Sequence, residues 1–572
     1  MSVAIIGMAG RFPKSENIND FWDNLVNARD CITRSDTLYG REGAVEFVHA
    51  YGKLDNIYSF DNALFHISDA EAEAMEPQER QLLECSYLAL QDAGYASEDR
   101  KETTGIICGA PENEYYLVNR FYGEKKNAIE AQNEKFHHSG GALAGRIAYK
   151  LNLTGPAIKI DTACSTSLSS VILAADMINM GYADMMIAGG SNIDIRQDGY
   201  VHIEGMSSED GVVRPFDKNS TGMVPGNGVG AVILKKYEAA IRDRDYIYAV
   251  IKGGYICNDG KDKIGYTAPC VTGEVRAIEG ALHRAGTDRD NIDYIETHGT
   301  ATVLGDAIEL KGIKRVFQRS GDNRLPVGSL KGNFGHLNMA AGIASVIKGC
   351  LMLERQLIPP SINNSEPNSE ISDKEHIFIP KEPIRKEIKN IGISSFGLGG
   401  MNSHMILSRC EENVDVRKHT KPVILHPKEF ISKTVSWKYL NGEADEKKEE
   451  KHIITEERVW SKSDNNTPVE SEIRKKLIEL VRAETGNCDF DGTQSLEECG
   501  IESMEQIVIS SKIADEFKVT FTMKDFYCCE HIDDLVAMIL TRKNSFLETT
   551  EVQENEPVVE EFDDIDDLFK EF

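Results

Sequence analysis

The chain has 572 residues, of which 41% are hydrophobic and 27% charged, and its formal net charge is −29 at pH 7. This length exceeds what one core supports and implies two or more domains of ordinary globular composition. The acidic excess argues against nucleic-acid binding, which needs clustered Lys and Arg to displace counterions, and twelve cysteines without zinc spacing fit a reducing, cytoplasmic setting.

The opening VAIIGMAGRFP is apolar, lacks a basic leader and breaks at Gly, Arg and Pro. It reads as a first strand rather than a signal peptide, and no transmembrane segment is expected. From residue 2 to about 408, β-type runs, Gly-rich turns and amphipathic helices alternate, which suggests a large α/β unit. AIKID reads as a buried strand leading to Cys164; Leu168, Ile172 and Ala175 then recur at helical spacing, and MMIAGG is the next strand. A thiol at such a helix start is expected to ionise readily, because unpaired amides favour thiolate. The competing reading is an inert, buried cysteine. Further on, YIETHGTATVLGD sets His298 after a strand, and GSLKGNFGHLNMAAG sets Lys331 and His336 in a Gly-rich turn before a helix. One cysteine and two histidines in such turns suggest nucleophilic catalysis with acid–base or electrophilic assistance, although sequence separation does not show that they meet.

Residues 409–467 include LNGEADEKKEEKHIITEERVWSKSDNNTPVE, which is charged and poor in periodic apolar residues, and read as a linker with room for short ordered pieces. Residues 468–543 carry helical patterns. Ile473, Leu477, Leu480 and Val481 mark one face, and Ile509, Ile513 and Phe517 mark a second helix that also holds Met504, Ile507 and Val508. IDDLVAMIL is a final helix, and together these fit a small four-helix bundle. YCCEH, ending at His531, reads as incidental rather than as a metal site. In the tail, 544–572, VVEEFDDIDDLFKEF sets Phe562, Ile565 and Leu568 three apart among acids. It reads either as a solubilising tail or as a docking motif for a basic groove on a partner.

Residues 2 to about 408 resemble the β-ketoacyl synthase domain of modular polyketide synthases. The matching stretches, in family order, are VAIIGMAGRFP, MEPQERQLLE, DTACSTSL, VRPFDKNSTG, GYTAP, THGTATVLGDAIE, KGNFGH and SSFGLGGMNSH. The resemblance implies a thiolase-type α/β fold, two similar βαβαβ halves stacked as five layers, and a homodimer. It implies that Cys164 takes the acyl chain as a thioester, while His298 and His336 promote decarboxylation of a malonyl-type thioester and stabilise developing negative charge. By the same resemblance Lys331 supports the second histidine, Thr300 and Thr302 hydrogen-bond the pantetheine arm, and the amides of Cys164 and the FGLGG loop form the oxyanion hole. The chain departs from the family pattern at Ala301 and Ala307, which replace Gly and Pro. Leu398 replaces a gatekeeping phenylalanine, and Met223 and Met401 stand where threonine is common.

EECGIESMEQIVIS resembles the motif of acyl and peptidyl carrier proteins, which implies covalent phosphopantetheine on Ser503; the usual preceding aspartate is Glu502. Residues 409–467 are too few for an acyltransferase domain with its Gly-x-Ser-x-Gly elbow. A trans-acting acyltransferase is therefore expected, together with a phosphopantetheinyl transferase, an upstream acyl carrier protein and, through the acidic tail, a downstream synthase polypeptide. The resulting expectation is a ketosynthase and carrier didomain that extends a chain by decarboxylative Claisen condensation. Alternatives are a non-elongating acyl-transferring ketosynthase, which typically lacks the histidine standing here as His298, fatty-acid elongation, and a non-catalytic dimeric scaffold, against which Cys164 argues.

Overall fold

The structure is a computed structural model. It describes residues 2–411, 425–432 and 468–548, apart from 43–44, 113, 123–141, 262, 264, 320–322, 372–375, 486–489, 494–495, 497–502, 520, 522–524, 526–528 and 530. Contacts divide the chain into two compact units, Met1–Lys447 and Lys448–Phe572.

The larger unit is organised by an eleven-stranded sheet. Its strands in chain order are β1 (Val3–Arg11), β2 (Thr104–Gly109), β3 (Ala157–Lys159), β4 (Met185–Asn192), β5 (Gly228–Lys236), β6 (Ala249–Asn258), β7 (Tyr294–Glu296), β8 (Leu325–Gly328), β9 (Ile377–Phe378), β10 (Asn390–Gly397) and β11 (Met401–Ser408). Across the sheet the order is β9-β8-β7-β10-β11-β6-β1-β5-β4-β2-β3. The two halves repeat one pattern. From β1 outward the pairings run antiparallel to β5, antiparallel to β4, then parallel to β2 and β3. From β6 outward they run antiparallel to β11, antiparallel to β10, then parallel to β7 and β8. The antiparallel β1–β6 pair joins them.

Alternation along the strands fixes the layers. Val3, Ile5, Met186, Ala188, Ile391, Ile393 and Leu407 face a central core shared with two largely buried helices, α3 (Thr166–Met180) and α6 (Ala341–Arg355). Ala4, Ile6, Met185 and Ile187 face the other way, against α1 (Pro77–Ala93). In the second half, Ile295, Val327 and Ile406 pack on α4 (Val271–Ala285) and α5 (Val303–Val316). The result is five layers, helix, strands, helix, strands, helix, as the thiolase-type expectation required. Residues Ala163–Met180 are apolar enough in composition for a membrane span, but most of that stretch is packed inside the protein.

One local expectation differs from the structure. The AIKID run reads as a buried strand, yet β3 is the last strand of the sheet and its residues are exposed or half-buried, because among the described residues only β2 pairs with it. In the charged stretch after residue 409, residues 425–432 are ordered against the synthase. Lys428–Glu429 pairs with Ser59–Phe60, Phe430 is buried in the core beneath α1, and the Phe430 carbonyl accepts from buried Arg80 at 2.7 Å. Ser432 N donates at 2.7 Å to Tyr115 of α2 (Glu114–Tyr122).

In the smaller unit the described helices are α7 (Pro468–Thr485), α8 (Ser503–Phe517) and α9 (Ile532–Glu548). Ile473, Leu477, Val481, Ile509, Ile513, Phe517, Ile532, Leu535 and Ile539 share one core, which accounts for the apolar positions seen at helical spacing. A fourth helix, the side chains of Met504, Ile507 and Val508, and the tail motif lie outside the described residues.

Candidate active site

Cys164 lies in a 3-10 turn, Ala163–Ser165, one step ahead of α3 rather than inside it. The turn is held by backbone and hydroxyl groups and by the Asp161 carboxylate, which accepts from Ala163 N at 2.9 Å. Thr162 N donates to Thr166 Oγ1 at 2.8 Å, Ser165 Oγ donates to Thr162 O at 2.7 Å, and Ser395 Oγ donates to Cys164 O at 3.0 Å. Ala163 adopts φ +50°, a left-handed conformation that costs an L-residue about 1–2 kcal/mol. Burial pushes the Cys164 thiol above its usual range, opposed by the Lys331 charge and by the amides of Leu398 and Cys164 itself. The expected easy ionisation is thus overturned: loss of water around the sulfur outweighs the amides and Lys331.

Sequence-distant groups meet at this cysteine. Cys164 Sγ donates to Asn338 Oδ1 at 3.5 Å, and Asn338 N donates to His336 Nδ1 at 3.2 Å. With Nδ1 accepting, the proton of neutral His336 resides on Nε2, leaving that nitrogen a donor. Burial, reinforced by the Lys331 charge, lowers His336 to about 3, so the ring is neutral at pH 7. The His298 ring stands nearly perpendicular to that of His336, with centroids 5.5 Å apart, and packs on Phe396 at 5.7 Å. Burial also drives His298 well below its usual range, and its Nδ1 is buried without a hydrogen-bond partner among the described residues. Lys331 is buried and donates to the His298 carbonyl oxygen. Burial lowers the Lys331 ammonium, while Glu309, Glu296, Cys164 and Asp306 favour its charge.

Two carboxyls that the sequence pattern does not single out set the His298 turn. On α5, Glu309 accepts from His298 N and Gly299 N, each at 2.7 Å. One turn earlier, Asp306 accepts from Ala301 N at 3.0 Å and Phe216 N at 2.6 Å. Burial pushes both upward, Asp306 to about 7, against amides that favour the charged form. Three helical residues apart, they face one side, and that i, i+3 spacing was the available signal. Ala301 takes φ +66° with its methyl fully buried, so the alanine that replaces the family's glycine fills a small core at the expense of backbone strain.

Thr300 and Thr302 place their hydroxyls 3.1 Å apart beyond His298. The Leu398 side chain is 47% exposed although its amide reaches the thiol, so at this position the wall beside Cys164 is open to solvent. Met223 and Met401 are half-buried. Ser503 is the first residue of α8, in the other unit. Phosphopantetheine fits that position, since the unpaired first amides of a long helix favour a phosphodiester anion and Ile509, Ile513 and Phe517 anchor the helix behind it.

A five-layer fold of two matching halves, with a cysteine and two buried imidazoles brought together from separate turns, defines a thiolase-type enzyme of acyl-transfer architecture. The chain belongs to the β-ketoacyl synthase family and carries a phosphopantetheine attachment domain. Residues 1–240 match the description "Beta-ketoacyl synthase, N-terminal domain", residues 248–365 "Beta-ketoacyl synthase, C-terminal domain", and residues 475–539 "Phosphopantetheine attachment site". It is 35% identical over 446 residues to a phenolphthiocerol/phthiocerol polyketide synthase polypeptide of Mycobacterium tuberculosis, covering 74% of this chain and 30% of that one. It is 34% identical over 466 residues to polyketide synthase PksM of Bacillus subtilis, covering 75% and 11%. The chain thus spans under a third of these relatives. Among solved structures, ketosynthase twelve of the bacillaene polyketide synthase from Bacillus amyloliquefaciens matches with TM-score 0.67 at 33% identity, covering 72% of this chain and 73% of that one. The module 1 ketosynthase of the same system matches with TM-score 0.67 at 34% identity, covering 72% and 76%.

Proposed function

We propose that the chain is an elongating ketosynthase and acyl carrier didomain that joins an acyl group to a malonyl-type extender by decarboxylative Claisen condensation. The observation that carries this reading is the contact chain Cys164, Asn338, His336, His298, with both imidazoles held neutral. Phosphopantetheine on Ser503 supplies the thiol that presents acyl groups as thioesters, and Thr300 and Thr302 would hold its arm at the synthase.

Cys164 sulfur attacks the incoming acyl carbonyl, forming a new thioester and releasing the donor thiol, with the amides of Cys164 and Leu398 receiving the oxygen's developing charge. His336, a donor at Nε2, and His298 then stabilise negative charge on the extender's thioester oxygen as carbon dioxide leaves. The electron pair of the broken carbon–carboxylate bond forms the bond to the Cys164-bound carbonyl. The carbon–sulfur bond breaks, and Cys164 returns as thiolate beside Lys331.

The extender acyl group would come from a trans-acting acyltransferase, since residues 409–467 leave little chain for that domain. A phosphopantetheinyl transferase modifies Ser503, an upstream acyl carrier protein delivers the chain, and the acidic tail docks a downstream synthase polypeptide. The protein acts in the cytoplasm as a homodimer, a reading supported by the outer edge of β3, which pairs with no strand among the described residues.

Intact-protein mass spectrometry tests the proposal, with malonyl loaded on Ser503 and a short acyl thioester supplied. A β-ketoacyl group on Ser503 with loss of carbon dioxide is the expected mass. Acyl transfer to Cys164 and then Ser503 with malonyl intact would replace it with the non-elongating reading.

A further inference from the structure

Beneath the site lies a second set of charged groups that takes no direct part in the condensation. Glu296, at the end of β7, and Lys348, on α6, form an ion pair at 2.5 Å with both side chains 1% exposed. Tyr294, fully buried, donates to Glu296 Oε2 at 2.8 Å, and its hydroxyl accepts from Lys348 Nζ at 3.0 Å. The other carboxylate oxygen, Oε1, accepts from Leu330 N at 2.9 Å.

A buried ion pair is weak evidence of stabilisation, because taking two charges out of water costs about what their attraction returns. Its geometry is more informative. Glu296 is two residues before His298, and Leu330 directly precedes Lys331. Lys348 lies on the helix that follows His336 and Asn338. One carboxylate therefore ties together the strand that delivers His298, the turn that delivers Lys331 and the helix behind His336. The Cys164 turn is held by a different set, Asp161, Thr162, Thr166, Ser165 and Ser395.

Resting on the elongation reading, we infer that Glu296, Lys348 and Tyr294 are positioning residues for the decarboxylation and bond-forming steps. They set His298 and Lys331 relative to His336 and leave acyl loading on Cys164 almost untouched. Neutral replacement of the whole pair is the informative change, since removing one partner leaves a buried charge uncompensated.

The test compares wild type with the double variant Glu296→Gln/Lys348→Met, with circular dichroism and the denaturation midpoint as folding controls. Two rates are read: acylation of Cys164 from a short acyl thioester, and carbon dioxide release from a malonyl thioester. The expected result is loading within about threefold of wild type and decarboxylation reduced roughly 10- to 100-fold, the scale of an ångström-level misplacement. Should the double variant not fold, Tyr294→Phe carries the test, with decarboxylation down about three- to tenfold, as for loss of a hydrogen bond or two, and loading unchanged. Decarboxylation at the wild-type rate, or equal losses in both rates, overturns the inference alone. A wild-type protein that loads Cys164 but never releases carbon dioxide overturns the elongation reading and this inference with it.

Discussion

The turn after β3 and the turn after β8 hold corresponding places in the two halves of the sheet, and each leads towards one of the paired central helices. Around Cys164 the supports are mostly hydroxyls and backbone, Thr162, Ser165, Thr166 and Ser395, with one exposed carboxylate, Asp161, accepting from Ala163 N at 2.9 Å and strain at Ala163. Around Lys331 and the His298 turn they are buried charges: Glu296, Asp306, Glu309 and Lys348. The difference follows from what each group must do. A sulfur that attacks a carbonyl needs a fixed position and amides for the oxyanion, and a buried carboxylate would oppose its ionisation more than the solvent-screened Asp161 does. A buried ammonium kept charged for electrostatic help needs counter-charges, or it sheds its proton.

Four experiments bear on that contrast. The largest effect is expected from Cys164→Ala, which should abolish acyl loading on the synthase while leaving Ser503 open to phosphopantetheinylation; acylation surviving elsewhere on the synthase would remove the nucleophile assignment. Next is Glu309→Gln, which turns an amide nitrogen toward a backbone N–H and should destabilise by about 1–3 kcal/mol. It should also slow carbon dioxide release roughly 100-fold through displacement of His298, and a purified variant with wild-type release would show that the carboxylate only stabilises the turn.

A pH effect of about tenfold per unit comes third. Because burial raises the Cys164 thiol above its ordinary range, it is protonated at pH 7, and its thiolate fraction should grow about tenfold per pH unit up to about pH 8. The alkylation rate of Cys164 by iodoacetamide reads this directly. A plateau below pH 8 would mean that Lys331 and the amides outweigh burial. The smallest effect belongs to Ala301→Gly, where relief of about 1–2 kcal/mol of left-handed strain is offset by about 0.8 kcal/mol of lost methyl burial. A net gain of up to about 1 kcal/mol in urea unfolding is expected, and a loss would show that the methyl's packing outweighs the strain.

His298, Lys331 and His336 were legible in the sequence because they sit in Gly-rich turns, and Cys164 because it stands among small hydroxyl residues between a strand and a helix. Asp306, Glu309 and Glu296 were not, since, apart from the i, i+3 spacing of the first two, a buried carboxylate that receives backbone amides is spelled like one facing solvent. Asn338 escaped for a related reason: a side chain that bridges a thiol and an imidazole has no spacing rule. A large α/β unit followed from the alternating strand and helix patterns and its five layers from the family resemblance, whereas the edge position of β3 depends on which strands pair, information no single segment holds. Residues 425–432 were hidden by the charged sequence that follows them, although Phe430 and Ile431 are the apolar residues that attach them.

The place of β1 has a consequence for biosynthesis. Its partners are β5, through pairs from Val3↔Lys236 to Arg11↔Val229, and β6, beginning at Val3↔Ile251. On the ribosome, at roughly 5–20 residues per second, this apolar strand waits about ten to fifty seconds before either neighbour has been made. Any nascent fragment that stops before β5 leaves both of its edges unsatisfied, a segment suited to chaperone capture or to aggregation.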